Sequence, residues 1–273
     1  MKKKQITLDE MKEIELNILD KVDKICKENN LVYSLMDGSL IGAVRHNGII
    51  PWDDDIDIMM PRPDYERLKE IMTQNPISNL LYMSSETQND YIYPFAKVVD
   101  TRTTVKEYKT IEIENYGVYL DIFPVDAVYN NKIRRFFQMR IMKFLRKCLE
   151  TSFHENAVSK NKIKRLLKRI MTFFTKLVGY KKWLKVINRN CLKRNYKENN
   201  YVTILYSTIC TKANKYYTKE MFEKITDVKF ENRDIKIIKD YDKYLMDLFG
   251  NYMKLPPVEE QVSNHNFDRL EWK

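Results

Sequence analysis

Residues 48–62 read GIIPWDDDIDIMMPR. Four aspartates, Asp53, Asp54, Asp55 and Asp57, fall within five positions, and apolar residues flank them on both sides. Side chains alternate between the two faces of a strand. A strand over Ile56–Met60 therefore turns Ile56 and Ile58 into a core and sets Asp55 and Asp57 together on the other face. Like charges this close repel, and a buried carboxylate is costly without a partner. The run is either a solvated acidic turn before a strand, or a pair of carboxylates gripping one hard divalent cation such as Mg²⁺. Asp53 and Asp54 lie just outside that strand, behind the pair.

Working outward, Asp37-Gly38-Ser39 follows an apolar, β-branched stretch, Val32–Met36, that reads as a strand, and precedes a short helix over Leu40–Arg45. Glycine allows close backbone approach, and a serine with helix N-terminal N–H groups can hold a phosphate. On the other side, Pro61-Arg-Pro63 breaks the strand, and a helix is expected over Asp64–Gln74. Leu80–Met83, Tyr93–Val99 and Gly117–Val125 read as further strands. The last of these, GVYLDIFPV, places Asp121 inside an apolar run. A lone carboxylate there either faces solvent at a strand end or shares a cation with Asp55 and Asp57.

Thr7-Leu-Asp-Glu10 fits a capping box at the start of a first helix, whose apolar stripe runs from Leu8 through Met11, Ile14, Ile18, Leu19, Val22 and Ile25. Toward the other end, residues 226–230 and 234–238 read as a hairpin around Asn232, and Tyr241–Phe249 as a helix stopped by Gly250. Val202–Cys210 is a strand or an apolar loop, and the tail after Pro256-Pro257 is polar. Strands early and helices inserted later make the class α+β.

The 273 residues suffice for one large domain or a domain with an appendage. No 18-residue apolar run is present, and the basic start turns amphipathic at once, so the chain reads as cytoplasmic. Four scattered cysteines, Cys26, Cys148, Cys191 and Cys210, show no zinc or disulfide spacing and are expected as free, mostly buried thiols. Three histidines, His46, His154 and His265, are too few for a histidine-built metal site. The net charge of +10 is uneven. Residues 131–200 hold 21 Lys or Arg against three acids, a local +18 that leaves the remainder at −8. Such asymmetry points to a partner surface.

The Gly-Ser turn, the strand carrying Asp-x-Asp and the acid on a later strand resemble the nucleotidyltransferase-fold superfamily. More narrowly, DGSLIGAVRHNGIIPWDDDIDIMMPRPDYERL resembles the signature of the LicD family, which includes the fukutin-related proteins. FAKVVDTRTTV, YLDIFPVDAV and FGNYMKLPPVEEQVSNH fit the same family, so the likeness spans most of the chain and is weakest over residues 131–200. The resemblance implies a mixed β-sheet core in residues 1–130, a basic helical insertion in 131–200, and a C-terminal part in 201–273 that packs back on the core. It implies transfer of phosphocholine, or a related phospho-alcohol such as glycerol- or ribitol-phosphate, from a CDP-linked donor to a sugar hydroxyl. Asp55, Asp57 and Asp121 would be metal ligands for Mg²⁺, with Mn²⁺ as an alternative. Asp121 is the first choice as base, with Asp53 or Asp54 as rivals.

Under the same resemblance Gly38 and Ser39 would bind phosphate. Lys97 would contact phosphate or snorkel at a strand edge, and Arg45 would face the diphosphate or lie on a solvated helix end. Trp52 and Tyr119 are candidate faces for a trimethylammonium group. The basic insertion admits docking on an anionic membrane at its cytoplasmic face, nucleic-acid binding, or a merely solvated helical face; the first suits a lipid-linked acceptor.

Overall fold

Thr7 opens α1 (Leu8–Glu28) with the expected reciprocal cap. Its hydroxyl accepts the Glu10 N–H at 3.2 Å, and the Glu10 carboxylate accepts the Thr7 N–H at 3.0 Å. Met11, Ile14, Ile18, Leu19, Val22 and Ile25 are buried as their spacing predicts. Leu8 departs from the stripe and is exposed, whereas Glu15 lies on the buried face with no exposed surface. The computed structural model describes residues 3–108, 110–153, 162–207, 215–263 and 266–273.

The core is a mixed sheet. Its strands are β1 (Ser34–Leu35), β2 (Asp57–Pro61), β3 (Leu80–Met83), β4 (Ala96–Asp100) and β6 (Tyr119–Val128), in the order β1-β2-β6-β4-β3. The β2/β6 pair is parallel; its neighbours are antiparallel. The far end of β6 pairs with β7 (Tyr201–Thr203), which pairs with β8 (Tyr217–Thr218). Helix α2 (Asp37–His46) links β1 toward β2, and α3 (Arg62–Gln74) follows β2 with Pro63 in its first turn. Ile56 and Ile58 are fully buried, as alternation requires. Two expected strands shrink at their ends. Val32–Met36 keeps only Ser34 and Leu35, and Tyr93–Val99 begins at Ala96, beyond Pro94, which has no N–H to give a ladder.

Residues 131–200 fold as α4 (Lys132–Phe153), α5 (Lys162–Val178) and α6 (Tyr180–Leu192), with the expected break at Gly179, φ 82°. Met139, Met142, Leu145 and Leu149 of α4 pack on Leu184, Ile187 and Cys191 of α6, a small apolar cluster apart from the main core. Two of its cations are not on a solvated face. Arg135 and Arg146 are 5% and 6% exposed. Arg135 donates to the carbonyls of Tyr129 at 2.7 Å and Asn130 at 3.0 Å, under the rings of Tyr201 and Tyr216.

The C-terminal part adds α7 (Glu220–Glu223), the hairpin β9 (Ile225–Phe230) and β10 (Arg233–Ile238), and α8 (Tyr241–Phe249) closed by Gly250. Glu231 and Asn232 both take positive φ, 47° and 61°, the backbone a two-residue turn needs to follow strand twist. The polar tail forms a strand, β11 (Phe267–Trp272), against β5 (Thr103–Glu107). Neither was legible in sequence, since each alternates weakly and takes its partners from distant parts of the chain: β11 also pairs with residues 4–6. Cys26, Cys148 and Cys191 are free and buried. Cys210, His154, His265 and the break expected near residues 154–160 lie outside the described residues. No helix among the described residues is long and apolar enough to cross a membrane.

Candidate active site

The acidic run is held from three sides. Lys12 of α1 donates to the carbonyls of Pro51 at 2.9 Å and Ile50 at 3.4 Å, and the Asp53 N–H closes a turn onto Ile50 at 2.9 Å. The β9–β10 turn docks from outside, its Glu231 carboxylate accepting the Ile49 N–H at 3.0 Å. On the sheet side, the Asp57 N–H donates to Ser39 Oγ at 2.9 Å and the Asp121 N–H to the Ile56 carbonyl at 3.1 Å. The loop between α2 and β2 thus has little freedom.

Within it, Asp53, Asp54 and Asp55 each bring a ligand oxygen to within 4.8 Å of the others. Asp53 and Asp54 are buried and Asp55 is half-buried. Asp57 and Asp121 stand side by side next to this set, paired in register across β2 and β6. The two acids weighed as standing behind the ion are therefore part of the tight set. Burial pushes the Asp57 carboxyl well above the usual range. Asp55, Asp121 and Asp37 push it the same way, and Lys97 opposes them. Gly38 makes the packing possible: a Cβ there would lie 2.7 Å from Asp53 Oδ2. Ser263 of the C-terminal segment hydrogen-bonds the Asp54 carboxylate.

Helix α2 starts beside these acids, and its N-cap residue, Met36, supplies no side-chain capping bond. Asp37, its first residue, takes φ 43°, a strained conformation outside glycine. Its carboxylate accepts the Tyr244 hydroxyl at 3.0 Å, and burial raises its pKa to about 6 against the pull of that bond.

Lys97 does not snorkel. It sits on β4 opposite Asp121 with 2% exposure, and its ammonium donates to Asp121 Oδ1 at 2.6 Å. Tyr119, Tyr93, Phe95 and Tyr116 surround the ammonium, the nearest ring centroid, that of Tyr119, at 3.4 Å. Glu107 fixes this cage by accepting the hydroxyls of Tyr93, Tyr116 and Tyr119 at 2.7, 2.7 and 3.1 Å. Asp57, Asp121 and Lys97 thus form one row across three adjacent strands. The anion for the buried lysine is Asp121, and the expected trimethylammonium face of Tyr119 is already covered by a cation.

The other predicted residues divide. Gly38 and Ser39 lie against Asp53 and Asp57. Trp52 is half-buried directly before the acids, edge-on to His46 at 6.0 Å. Arg45 is carried away from the start of α2, about 9 Å along the helix axis from Ser39. Its guanidinium donates to the Tyr252 carbonyl at 2.6 Å and to His46 at 3.0 Å, a tie to the C-terminal part. Sequence reasoning missed Glu15, Glu107, Ser263 and Tyr244. For Glu15 a signal existed: it falls four residues after Met11 and three before Ile18, inside the apolar stripe of α1. Burial pushes its carboxyl well above the usual range, and the charges of Asp55, Asp54, Asp121 and Asp53 act the same way.

The model of the family described as "LicD/FKTN/FKRP, nucleotidyltransferase domain" matches residues 30–150. The chain is 31% identical to the lipopolysaccharide cholinephosphotransferase LicD of Haemophilus influenzae, over 96% of this chain and 97% of that protein. Shorter likenesses join it to uncharacterized proteins of Rickettsia prowazekii, 45% identical over 19% of each chain, and Rickettsia typhi, 36% identical over 26% of this chain and 23% of that one.

Proposed function

The chain belongs to the LicD family, and from that premise we propose that it is a metal-dependent phosphotransferase. It moves phosphocholine from CDP-choline to a sugar hydroxyl of a cell-surface glycan, a lipopolysaccharide or teichoic acid precursor, and releases CMP. The observation that carries this reading is the row Asp57–Asp121–Lys97 beside the tight Asp53–Asp54–Asp55 set, at the start of α2. The sheet is read as a nucleotidyltransferase-like core, with α4–α6 inserted and residues 201–273 packed back on it.

The donor set fits a hard divalent ion, since carboxylate oxygens converge and, among the described residues, no sulfur or imidazole joins them. Bound there, Mg²⁺ or Mn²⁺ would neutralise the diphosphate and the charge growing on the leaving CMP. The remaining work falls to the chain. The first-turn N–H groups of α2 and the Ser39 hydroxyl offer donors to a phosphate; Ser39 Oγ already accepts from Asp57, so its proton is free to point outward. Lys97 holds Asp121 as a carboxylate, which receives the proton of the acceptor hydroxyl. Asp53 and Asp54 are committed to the cation set. Trp52, at the edge of that set, offers a ring face to the cationic head group.

Incubation with CDP-choline, CDP-glycerol and CDP-ribitol plus Mg²⁺, with CMP as the product measured, tests the reading. Release from CDP-choline is expected. Release from a CDP-polyol alone replaces the cargo with glycerol- or ribitol-phosphate, and release from none in the presence of a glycan acceptor overturns the transferase reading.

The acceptor is lipid-linked, and residues 131–200 hold the enzyme at the inner face of the membrane. Phe137 and Phe144 on α4, and Phe173, Phe174 and Leu177 on α5, are 58–71% exposed amid Lys and Arg. An apolar stripe edged by cations suits insertion at an anionic lipid surface. Replacing Phe173 and Phe174 with Ser should release the protein from anionic vesicles. Equal binding to neutral vesicles, or tighter binding to RNA, removes this part of the proposal.

A further inference from the structure

Helix α1 carries two charged side chains toward the acidic loop, Lys12 and Glu15. Lys12 is spent on the carbonyls of Ile50 and Pro51. Three residues on, Glu15 is fully buried, and neither of its carboxylate oxygens has a hydrogen-bond partner among the described residues. Its charged neighbours are Asp53, Asp54, Asp55 and Asp121. Nothing in ordinary packing calls for such a group: Met11 and Ile18 flank it on the same stripe, and an apolar side chain would fill the place without an unpaired polar atom. The buried ammonium of Lys97 is engaged with Asp121.

We infer that Glu15 is a positioning residue of the divalent-cation site, a further carboxylate that balances the charge of an ion held by Asp53, Asp54 and Asp55 from outside that ligand set. This rests on the cation reading of the acidic loop. The converging set comprises the three aspartates without Glu15, so Glu15 acts on the ion from α1, behind the loop. Its location has a consequence for assembly of the site: α1 tethers the loop by Lys12 and presents a negative charge under it, so the ion, once bound, draws helix and loop together.

The test uses Mn²⁺ as the probe on the full chain, with affinity from calorimetric titration and melting temperature with and without the ion. Glu15→Gln keeps the shape and removes the charge. It should weaken Mn²⁺ binding about tenfold or more, shrink the ion-induced rise in melting temperature, and leave the metal-free melting temperature equal or higher. Glu13→Gln, on the exposed face of the same helix, should change neither. Glu15→Asp keeps the charge and should restore part of the lost affinity. If the wild type takes up no Mn²⁺, the cation reading of the loop falls and Glu15 with it. If the wild type binds and Glu15→Gln binds equally well, the Glu15 assignment alone is overturned. Should Glu15→Gln melt too low to titrate, Glu15→Met decides: it fills the apolar site without a charge, and unchanged Mn²⁺ affinity would overturn the assignment.

Discussion

Lys97→Met removes one charge from the centre of the sheet while keeping much of the side-chain length. In the wild type the ammonium lies 2.6 Å from Asp121 Oδ1, 2% exposed, above the Tyr119 ring at 3.4 Å. At an effective dielectric of about 20 that separation corresponds to roughly 6 kcal/mol of gross attraction, much of it offset by the desolvation of both ions. Loss of the ammonium removes the positive charge next to Asp121 and leaves its buried carboxylate beside Asp57, a loss of about 3–5 kcal/mol. For a chain of this size that lowers the melting temperature by ~10 °C. Asp121→Asn strands the lysine instead, so the double variant should be less destabilised than the two single effects added together. Mg²⁺ at saturating concentration should raise the melting temperature of Lys97→Met more than that of the wild type, because the cation then meets an Asp121 that has lost the lysine's positive charge. Thermal melts of the four proteins, with and without Mg²⁺, decide the matter. A metal-free Lys97→Met that melts within ~2 °C of the wild type would refute the reasoning, and so would strict additivity of the two substitutions.

Asp57→Asn removes a carboxyl whose charged form burial and three neighbouring aspartates disfavour. The metal-free protein should gain stability, whereas kcat/KM in a Mg²⁺-dependent CMP-release assay should drop ~10²-fold or more; near-normal turnover would sink the assignment. Asp37 has a folded-state pKa raised to about 6, so the native state holds its proton where the unfolded chain, with the ordinary aspartate value of 3.8, has lost it. Stability therefore falls as pH rises from about 4 to 6, by at most about 3 kcal/mol, and stays flat above. Asp37→Asn should flatten that slope in melts at successive pH values, and an unchanged slope would assign it to other groups. Gly38→Ala meets the mobile end of Asp53 at 2.7 Å, so the fold should survive with a small change in melting temperature while the aspartate set is displaced and Mg²⁺-dependent activity drops at least tenfold. Full activity would show that Asp53 is not held where catalysis needs it.

The features that the sequence determined by itself are those whose causes are local. The Thr7/Glu10 cap, the break at Gly179, the turn at Glu231-Asn232 and the stop at Gly250 each depend on a few adjacent residues. The same holds for Ile56 and Ile58 turning inward, since alternation follows from one strand alone. Their linear pattern also singled out Gly38, Ser39, Asp55, Asp57 and Asp121, which the fold places beside one another. What tertiary structure decided was pairing. Whether Lys97 met a phosphate, solvent or Asp121 depended on the register of β4 against β6, where a slip of one residue would have turned it to the other face. Tyr119 looked free to bind a ligand until that register put an ammonium on its ring. Arg45 turned toward Tyr252, Arg135 went under two tyrosines, and Ser263 reached Asp54 across 209 positions of chain. Glu15 shows the distinction within a single helix. Its place on the apolar stripe could be counted from Met11 and Ile18, but the four aspartates that give the position meaning come from the α2–β2 loop and β6, and only folding sets them against it.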